Sequence, residues 1–206
     1  MPKLSILCFG NSLTAGYFHF GLEYHPYDGK FKEVLKGKFP DLKVFTTVAG
    51  LPGDMVVFPG SFLSRMKNEC SKVKYDWVIC LGGTNDLGYR RSVDEIYTGL
   101  QGAWNIALES GAKVLALTIP ECQVRSERMD STRAQLNAAI LAHQQKDFYA
   151  FDLCRAIPYH DATEEFREQM FDDGLHLTEE GYDVMGTVIA KHFAPLYVAK
   201  PADDAV

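Results

Sequence analysis

The chain is 206 residues long, a length that suits one hydrophobic core, and 47% of its residues are apolar against 23% charged. That balance is ordinary for a globular protein and disfavours a disordered or collagen-like chain. A formal charge of -6, with Lys and Arg scattered, argues against a nucleic-acid footprint, and no run approaches the roughly 20 apolar residues of a membrane helix. Five cysteines at positions 8, 70, 80, 122 and 154 are odd in number and lack C-x-x-C spacing, which argues against a disulfide framework and a thiolate zinc site. The opening Met-Pro-Lys leads at once into an apolar run, without the apolar stretch and cleavage site of a secretory leader. The expectation is therefore a cytoplasmic protein with reduced thiols, no metal and no integral membrane association.

Five short apolar runs, at residues 3–9, 43–48, 77–81, 113–119 and 147–152, alternate with helical stretches at 29–39, 62–74, 93–110, 126–145 and 178–197. The alternation predicts β-α-β units and a parallel sheet. Thr178 is placed as an N-cap, and Glu179 and Glu180 follow in the first turn, where carboxylates favour the positive end of the helix dipole. No repeat or linker interrupts the pattern, so residues 1–199 are expected to form one domain, with 200–206 a frayed tail. Ligands of such sheets collect outside the carboxyl ends of the strands. Three strand exits are unusual: Gly10-Asn11-Ser12-Leu13-Thr14, Gly50-Leu51-Pro52-Gly53-Asp54 and Gly82-Gly83-Thr84-Asn85-Asp86. All three are expected on one rim.

Ser12 follows a strand and a glycine, so a tight turn could present its hydroxyl as a nucleophile; alone, it reads more readily as a helix cap. The nucleophile-elbow pattern G-x-S-x-G is not met, because Thr14 stands where the second glycine belongs. A serine needs a base, and the base needs an orienting partner. Asp173 and His176, three residues apart around Gly174, can supply both, or can be a surface pair ahead of a helix. Acyl transfer also needs donors for the developing oxyanion. The backbone N–H of Gly53 and the amide of Asn85 fit that need, although each alone is also an ordinary turn residue.

Ser12, Gly53, Asn85 and His176 resemble, in order, the four hallmark positions of the SGNH hydrolases, also called GDSL esterases and lipases. Gly10-Asn11-Ser12-Leu13 resembles the GDSL motif, Pro52-Gly53-Asp54 the second motif, Gly83-Thr84-Asn85-Asp86 the G-x-N-D motif, and Asp173-Gly174-Leu175-His176 the D-x-x-H motif. The resemblance implies a flavodoxin-like, three-layer α/β/α fold around a five-stranded parallel sheet. It further implies Ser12 as nucleophile, His176 as base, Asp173 as its orienter, and an oxyanion hole from the Ser12 and Gly53 N–H groups and the Asn85 side chain. Two positions depart from the family pattern: Asn11 replaces the aspartate, and Val48 stands where many members have asparagine.

The expected activity is hydrolysis of small carboxylic esters through an acyl-enzyme, without a cofactor. Alternatives keep the machinery for an acetylated carbohydrate, a lysophospholipid or a thioester, or keep the fold as a non-catalytic binding protein. Aromatic residues of the segment 17–27, among them Phe18, Phe20 and Tyr24, together with Phe171, are candidates for the substrate pocket or for core packing. Arg90 and Arg91, just beyond Asn85, either meet an anionic leaving group or form a solvated pair.

Overall fold

Side-chain alternation along the strands decides which residues face which helices. In a computed structural model, which describes residues 1–58 and 60–198, the apolar runs become β1 (Lys3–Gly10), β4 (Lys43–Gly50), β5 (Trp77–Leu81), β6 (Lys113–Leu117) and β7 (Phe148–Phe151). A small antiparallel pair, β2 (Tyr17–Phe18) and β3 (Glu23–Tyr24), follows β1. The main sheet has the order β4-β1-β5-β6-β7, and every pairing in it is parallel. This is the 2-1-3-4-5 order of flavodoxin-like sheets, with its topological switch at the carboxyl end of β1.

Leu4, Ile6 and Cys8 of β1, with Ile79, Leu81, Leu115 and Leu117, face α2 (Asp28–Lys38) and α9 (Glu179–Val198). Leu7 and Phe9, with Val78, Cys80, Val114 and Ala116, face α3 (Phe62–Lys72), α5 (Val93–Glu109) and α6 (Glu127–Ala142). The result is three layers, α/β/α, with one apolar cluster on each face. Burying both faces explains why the central strands read as continuous apolar runs rather than as an alternation of apolar and polar residues. Thr178 caps α9 as expected, its Oγ1 accepting the Gly181 N–H at 3.0 Å. Among the described residues no helix is long and apolar enough to cross a membrane. The tail at 200–206, with residue 199, lies outside the described residues.

Several boundaries differ from the sequence expectation for local reasons. β6 stops at Leu117, not 119, because the Asn137 side chain takes over the next backbone groups. Its Oδ1 accepts the Ile119 N–H at 2.8 Å and its Nδ2 donates to the Ile119 carbonyl at 2.9 Å. The helix predicted to reach 145 ends at Ala142, where His143 turns to an extended conformation and bonds the Tyr97 hydroxyl at 2.9 Å. The short helices α1 (Ser12–Ala15), α4 (Thr84–Gly88), α7 (Leu153–Ala156) and α8 (Glu164–Met170) were not expected, since one or two turns carry too few residues to show a helical period.

Two glycines make the rim possible. Gly10 and Gly50 are register partners at the ends of β1 and β4. A Cβ on Gly10 would run into the Leu81 carbonyl and the Thr14 hydroxyl, and one on Gly50 into the backbone of Ala15. Gly50→Ala is therefore expected to destabilise the fold by about 1–3 kcal/mol, as overpacking against backbone does. Gly37→Ala, on an open face of α2 with no neighbour near the new methyl, should instead stabilise by about 0.4–1 kcal/mol. Urea denaturation of the two variants checks both signs, and equal effects would contradict the close approach at Gly50.

Candidate active site

The first strand exit is built around one helical turn. Asn11 caps α1, its Oδ1 accepting the Leu13 N–H at 3.3 Å, and Gly16 closes the turn in the left-handed region at φ 75°. Ser12, the first residue of that turn, is 5% exposed. Its Oγ lies 2.9 Å from His176 Nε2. On the other side of the imidazole, Nδ1 lies 2.7 Å from Asp173 Oδ2. The second carboxylate oxygen, Oδ1, accepts the backbone N–H groups of Leu175 at 3.0 Å and His176 at 2.7 Å. Gly174, at φ 79°, supplies the left-handed residue that lets the turn fold back on its own carboxylate.

This fixes the electrostatics of Asp173. Partial burial pushes its carboxyl up, but hydrogen bonds from the His176 ring and from the His176 and Leu175 N–H groups together outweigh that, holding it below the usual carboxylate range. Serine, imidazole and carboxylate thus form one hydrogen-bonded chain, in which a proton leaving the hydroxyl has an acceptor and the acceptor has a fixed orientation.

The second and third exits interlock. Residues Leu51 to Asp54 make a turn closed by the Asp54 N–H on the Leu51 carbonyl at 3.1 Å, with Gly53 at φ 79°. Nothing stands where a Cβ on Gly53 would go, so glycine is required there for its backbone conformation and not for space. Asn85 Nδ2 donates to the Asp54 carbonyl at 2.9 Å, which uses one of its two N–H bonds and leaves the other for a ligand. Asp86, fully buried, accepts the Val56 and Val57 N–H groups at 3.1 Å each. Burial pushes its carboxyl up and outweighs the lowering effect of those donors. The Asp54 side chain, 1% exposed, is held by Arg65 and Ser61, while Arg65 Nη2 also donates to the Ala49 carbonyl at 2.6 Å.

The structure thus brings together the sequence-predicted Ser12, Asp173 and His176, and it ties Gly53 and Asn85 to each other through Asp54. The aromatic candidates divide. Phe18, a candidate pocket residue, is 3% exposed and packs in the core cluster with Leu13, Tyr27 and Phe31, so core packing is its role here. Phe20 and Tyr24 stand out in solvent, and Phe171 is buried against Tyr159. The aromatic that meets the site is Tyr17, whose ring centre lies 4.5 Å from that of His176. The Tyr182 hydroxyl donates to the Tyr17 carbonyl at 2.7 Å, and Asp172 Oδ2 accepts the His19 N–H at 2.7 Å. The sequence reading assigns no role to these supports; Asp86 closes the G-x-N-D motif and Asp172 adjoins the D-x-x-H motif, whereas Arg65, inside an ordinary amphipathic helix, leaves no signal.

A sequence model of the GDSL-like Lipase/Acylhydrolase family matches residues 8–184. The chain belongs to that family. Among solved structures it is similar to a lipolytic protein of the G-D-S-L family from Veillonella parvula DSM 2008, with 20% identity, TM-score 0.71, and coverage of 93% of this chain and 98% of that one. A lipase/acylhydrolase from Enterococcus faecalis matches with 24% identity, TM-score 0.70, and coverage of 95% and 97%. A carbohydrate esterase family 3 protein from Talaromyces cellulolyticus matches with 15% identity, TM-score 0.71, and coverage of 96% and 100%. No curated protein sequence matches the chain. These likenesses show that the GDSL-family chain shares the fold of these proteins along nearly its whole length.

Competing chemistry is limited in this GDSL-family protein. Burial pushes the thiols of Cys8 and Cys80 up to about 12 and that of Cys154 to about 11, so they stay protonated and poorly nucleophilic near neutrality. Among the described residues no three His, Cys, Asp or Glu side chains gather as a metal ion would require.

The pairing of Asp86 with two N–H groups yields a test of how the second exit is held. Asp86→Asn leaves one oxygen acceptor for two buried donors, and each unpaired group costs about 1–3 kcal/mol. Lower stability by that order should appear together with reduced turnover, as the loop carrying Gly53 loosens. Thermal melts and steady-state kinetics of the variant check it; unchanged values for both would mean that Asp86 does not hold the loop.

Proposed function

We propose that this hydrolase-family chain is a serine esterase that cleaves small carboxylic esters through an acyl-enzyme. The observation that carries the reading is the continuous hydrogen-bonded chain Ser12–His176–Asp173. In the first step Ser12 Oγ attacks the ester carbonyl carbon while His176 Nε2 takes the hydroxyl proton. The carbonyl oxygen becomes negative and accepts hydrogen bonds from the Ser12 and Gly53 N–H groups and the free Asn85 N–H. Collapse breaks the ester C–O bond, and His176 returns the proton to the departing alcohol. Water then repeats the sequence on the acyl-enzyme, with His176 again taking its proton, and releases the acid and free Ser12. Asp173, ionised throughout, offsets the imidazolium charge at each stage. These steps call for no cofactor.

Small acyl groups are favoured as substrates because similar structures include proteins named as a carbohydrate esterase and an acetyl esterase. An acetylated carbohydrate is accordingly the preferred variant of the reading, while a lysophospholipid or a thioester would use the same steps. An intact proton path supports turnover over a purely binding role.

Ser12→Ala should abolish hydrolysis of p-nitrophenyl acetate and labelling by a fluorophosphonate probe, with the circular dichroism spectrum unchanged. Wild-type turnover in that variant would end the serine reading. Asn85→Ala should lower kcat by about 100-fold or more with little change in KM, the signature of a donor used in the transition state; a change in KM alone would assign the amide to ground-state binding.

The pH profile follows from Asp173. A carboxyl whose folded value is depressed contributes stability above its unfolded value, about 3.9, and loses it as pH falls through the lower folded value. Asp173 therefore keeps its charge, and its hold on the His176 ring, throughout the range above the usual carboxylate values. Asp173→Asn should lower kcat/KM there, because the ring loses its orienting partner, and should remove the stability that the wild type gains as pH rises toward and through about 3.9. Kinetics and urea denaturation of the variant against pH check both; unchanged activity would take the orienting role from Asp173.

A further inference from the structure

Beyond Asn85, helix α4 runs into residues 88–91, and a cleft of about 460 Å³ opens there. Its charged lining is Arg90, Arg91 and Arg128, while Leu87, Val124 and Met129 provide apolar wall; among the described residues no carboxylate lines it. That is an unusual gathering in a chain of formal charge -6. Arg91 meets Glu95 only loosely, at 3.9 Å, and neither Arg90 nor Arg128 makes an ion pair among the described residues. Instead Arg128 Nη2 reaches the Arg90 backbone carbonyl at 3.5 Å, which ties the two segments of the cleft together. Arg90 also sits at φ 60°, a left-handed conformation that a side chain bearing a Cβ adopts only when its surroundings impose it. The backbone there is held by the Arg90 N–H on the Leu87 carbonyl and the Arg91 N–H on the Asp86 carbonyl, each at 3.0 Å.

Two links tie this cleft to the site, one along the chain and one completed by a hydrogen bond. Gly88, in its lining, is three residues from Asn85 on one short helix, a rise of about 5 Å. Val124, also in the lining, adjoins Gln123, whose N–H donates to the Gly174 carbonyl at 2.6 Å inside the Asp173–His176 turn. The cleft is thus connected to the segments that carry the amide donor and the base. Guanidinium groups lining one cleft with N–H donors to spare suit a carboxylate or phosphate, which they can bind by charge-assisted and bidentate hydrogen bonds. The apolar wall suits a short hydrocarbon spacer.

We propose that this cleft binds an anionic group on the ester substrate, so that the enzyme prefers esters whose reactive carbonyl is joined through a short apolar spacer to a carboxylate or phosphate. The proposal rests on the esterase reading above, and it names the substrate class of that same site. Three positive charges line one cleft, and an anion there offsets their mutual repulsion, so binding energy is available that a neutral ester cannot use.

Two substrate pairs test the proposal in the full-length chain. Monophenyl glutarate against phenyl valerate places a carboxylate on the acyl side; acetyl glycerol 3-phosphate against acetylglycerol places a phosphate on the alcohol side. In at least one pair the anionic ester should have the higher kcat/KM by about 10-fold or more, the usual worth of a charge-assisted hydrogen bond. Rising ionic strength should reduce that preference. The double variant R90Q/R128Q should abolish it while leaving kcat/KM for phenyl valerate within about twofold of wild type. Equal or neutral-favouring rates in both pairs overturn the proposal, as does a preference that survives the double variant. Hydrolysis of phenyl valerate without any charge preference sinks the anion cleft alone, whereas absence of turnover on all four esters sinks the esterase reading and this proposal with it.

Discussion

The close approach of three strand ends at Gly10 is the constraint on which the site depends. β1 lies between β4 and β5, and its last residue pairs with Gly50 on one side and Leu81 on the other. Connections leave this point in opposite directions across the sheet, opening a crevice there and nowhere else along the rim. For α1 to sit in that crevice, its backbone at Ala15 passes where a side chain on Gly50 would stand, and its Thr14 side chain fills the space a side chain on Gly10 would take against the Leu81 carbonyl. The position of the Ser12 hydroxyl is therefore a consequence of two missing methyl groups. Had either residue been alanine, the turn carrying Ser12 would have to rise, and the 2.9 Å contact with His176 would open.

Carboxylates do most of the remaining positioning, and they do it by accepting backbone N–H groups from loops that otherwise lack partners. Asp86 holds Val56 and Val57, Asp173 holds Leu175 and His176, Asp172 holds His19, and Glu121 holds Tyr159 and His160 at 2.8 and 2.9 Å. Irregular backbone that leaves a sheet carries unpaired donors, and one carboxylate satisfies two of them at once. The arrangement accounts for part of the acidic composition: some of the negative charge serves to build loops. It also makes the arginines at 90 and 128 conspicuous, since among the described residues neither pairs with a carboxylate, while Arg91 meets Glu95 only at 3.9 Å.

The sequence was legible where a physical requirement left a pattern. Burial on both faces of the sheet wrote continuous apolar runs into β1, β5 and β6, and helical crossovers separated them, so the architecture could be read directly. The grouping of Ser12, His176 and Asp173 was legible because the proposed chemistry restricts residue type and because Asp173 and His176 are close along the chain. The substrate side was not. Phe18 and Tyr17 are adjacent and both aromatic, yet one enters the core and the other meets His176; a two-residue strand points successive side chains to opposite faces. Which face is which depends on β3 pairing with it and on the Tyr182 hydroxyl, 165 residues away in sequence, holding the Tyr17 carbonyl. Long-range contacts of that kind leave no local trace.

The amide at Asn11, in place of the aspartate of the GDSL pattern, acquires a physical meaning in this setting. The residue is fully buried, its Oδ1 accepts only the Leu13 N–H, and its Nδ2 has no hydrogen-bond partner. A carboxylate would remove the orphaned donor but would bring a charge with a single donor to hold it, and a buried charge so poorly solvated is the more expensive error. The proposed role of Ser12 beside it gives a second reason to favour neutrality. In the proposed acyl transfer, negative charge would develop on the substrate oxygen next to the Ser12 N–H, and a fixed negative charge one residue away would oppose it. Asn11 performs the capping task that α1 needs without adding to the anionic load already carried by Asp173. An amide nitrogen whose two N–H donors go unpaired, at about 1–3 kcal/mol for each unpaired group, is the compromise that keeps the surroundings of Ser12 neutral on that side.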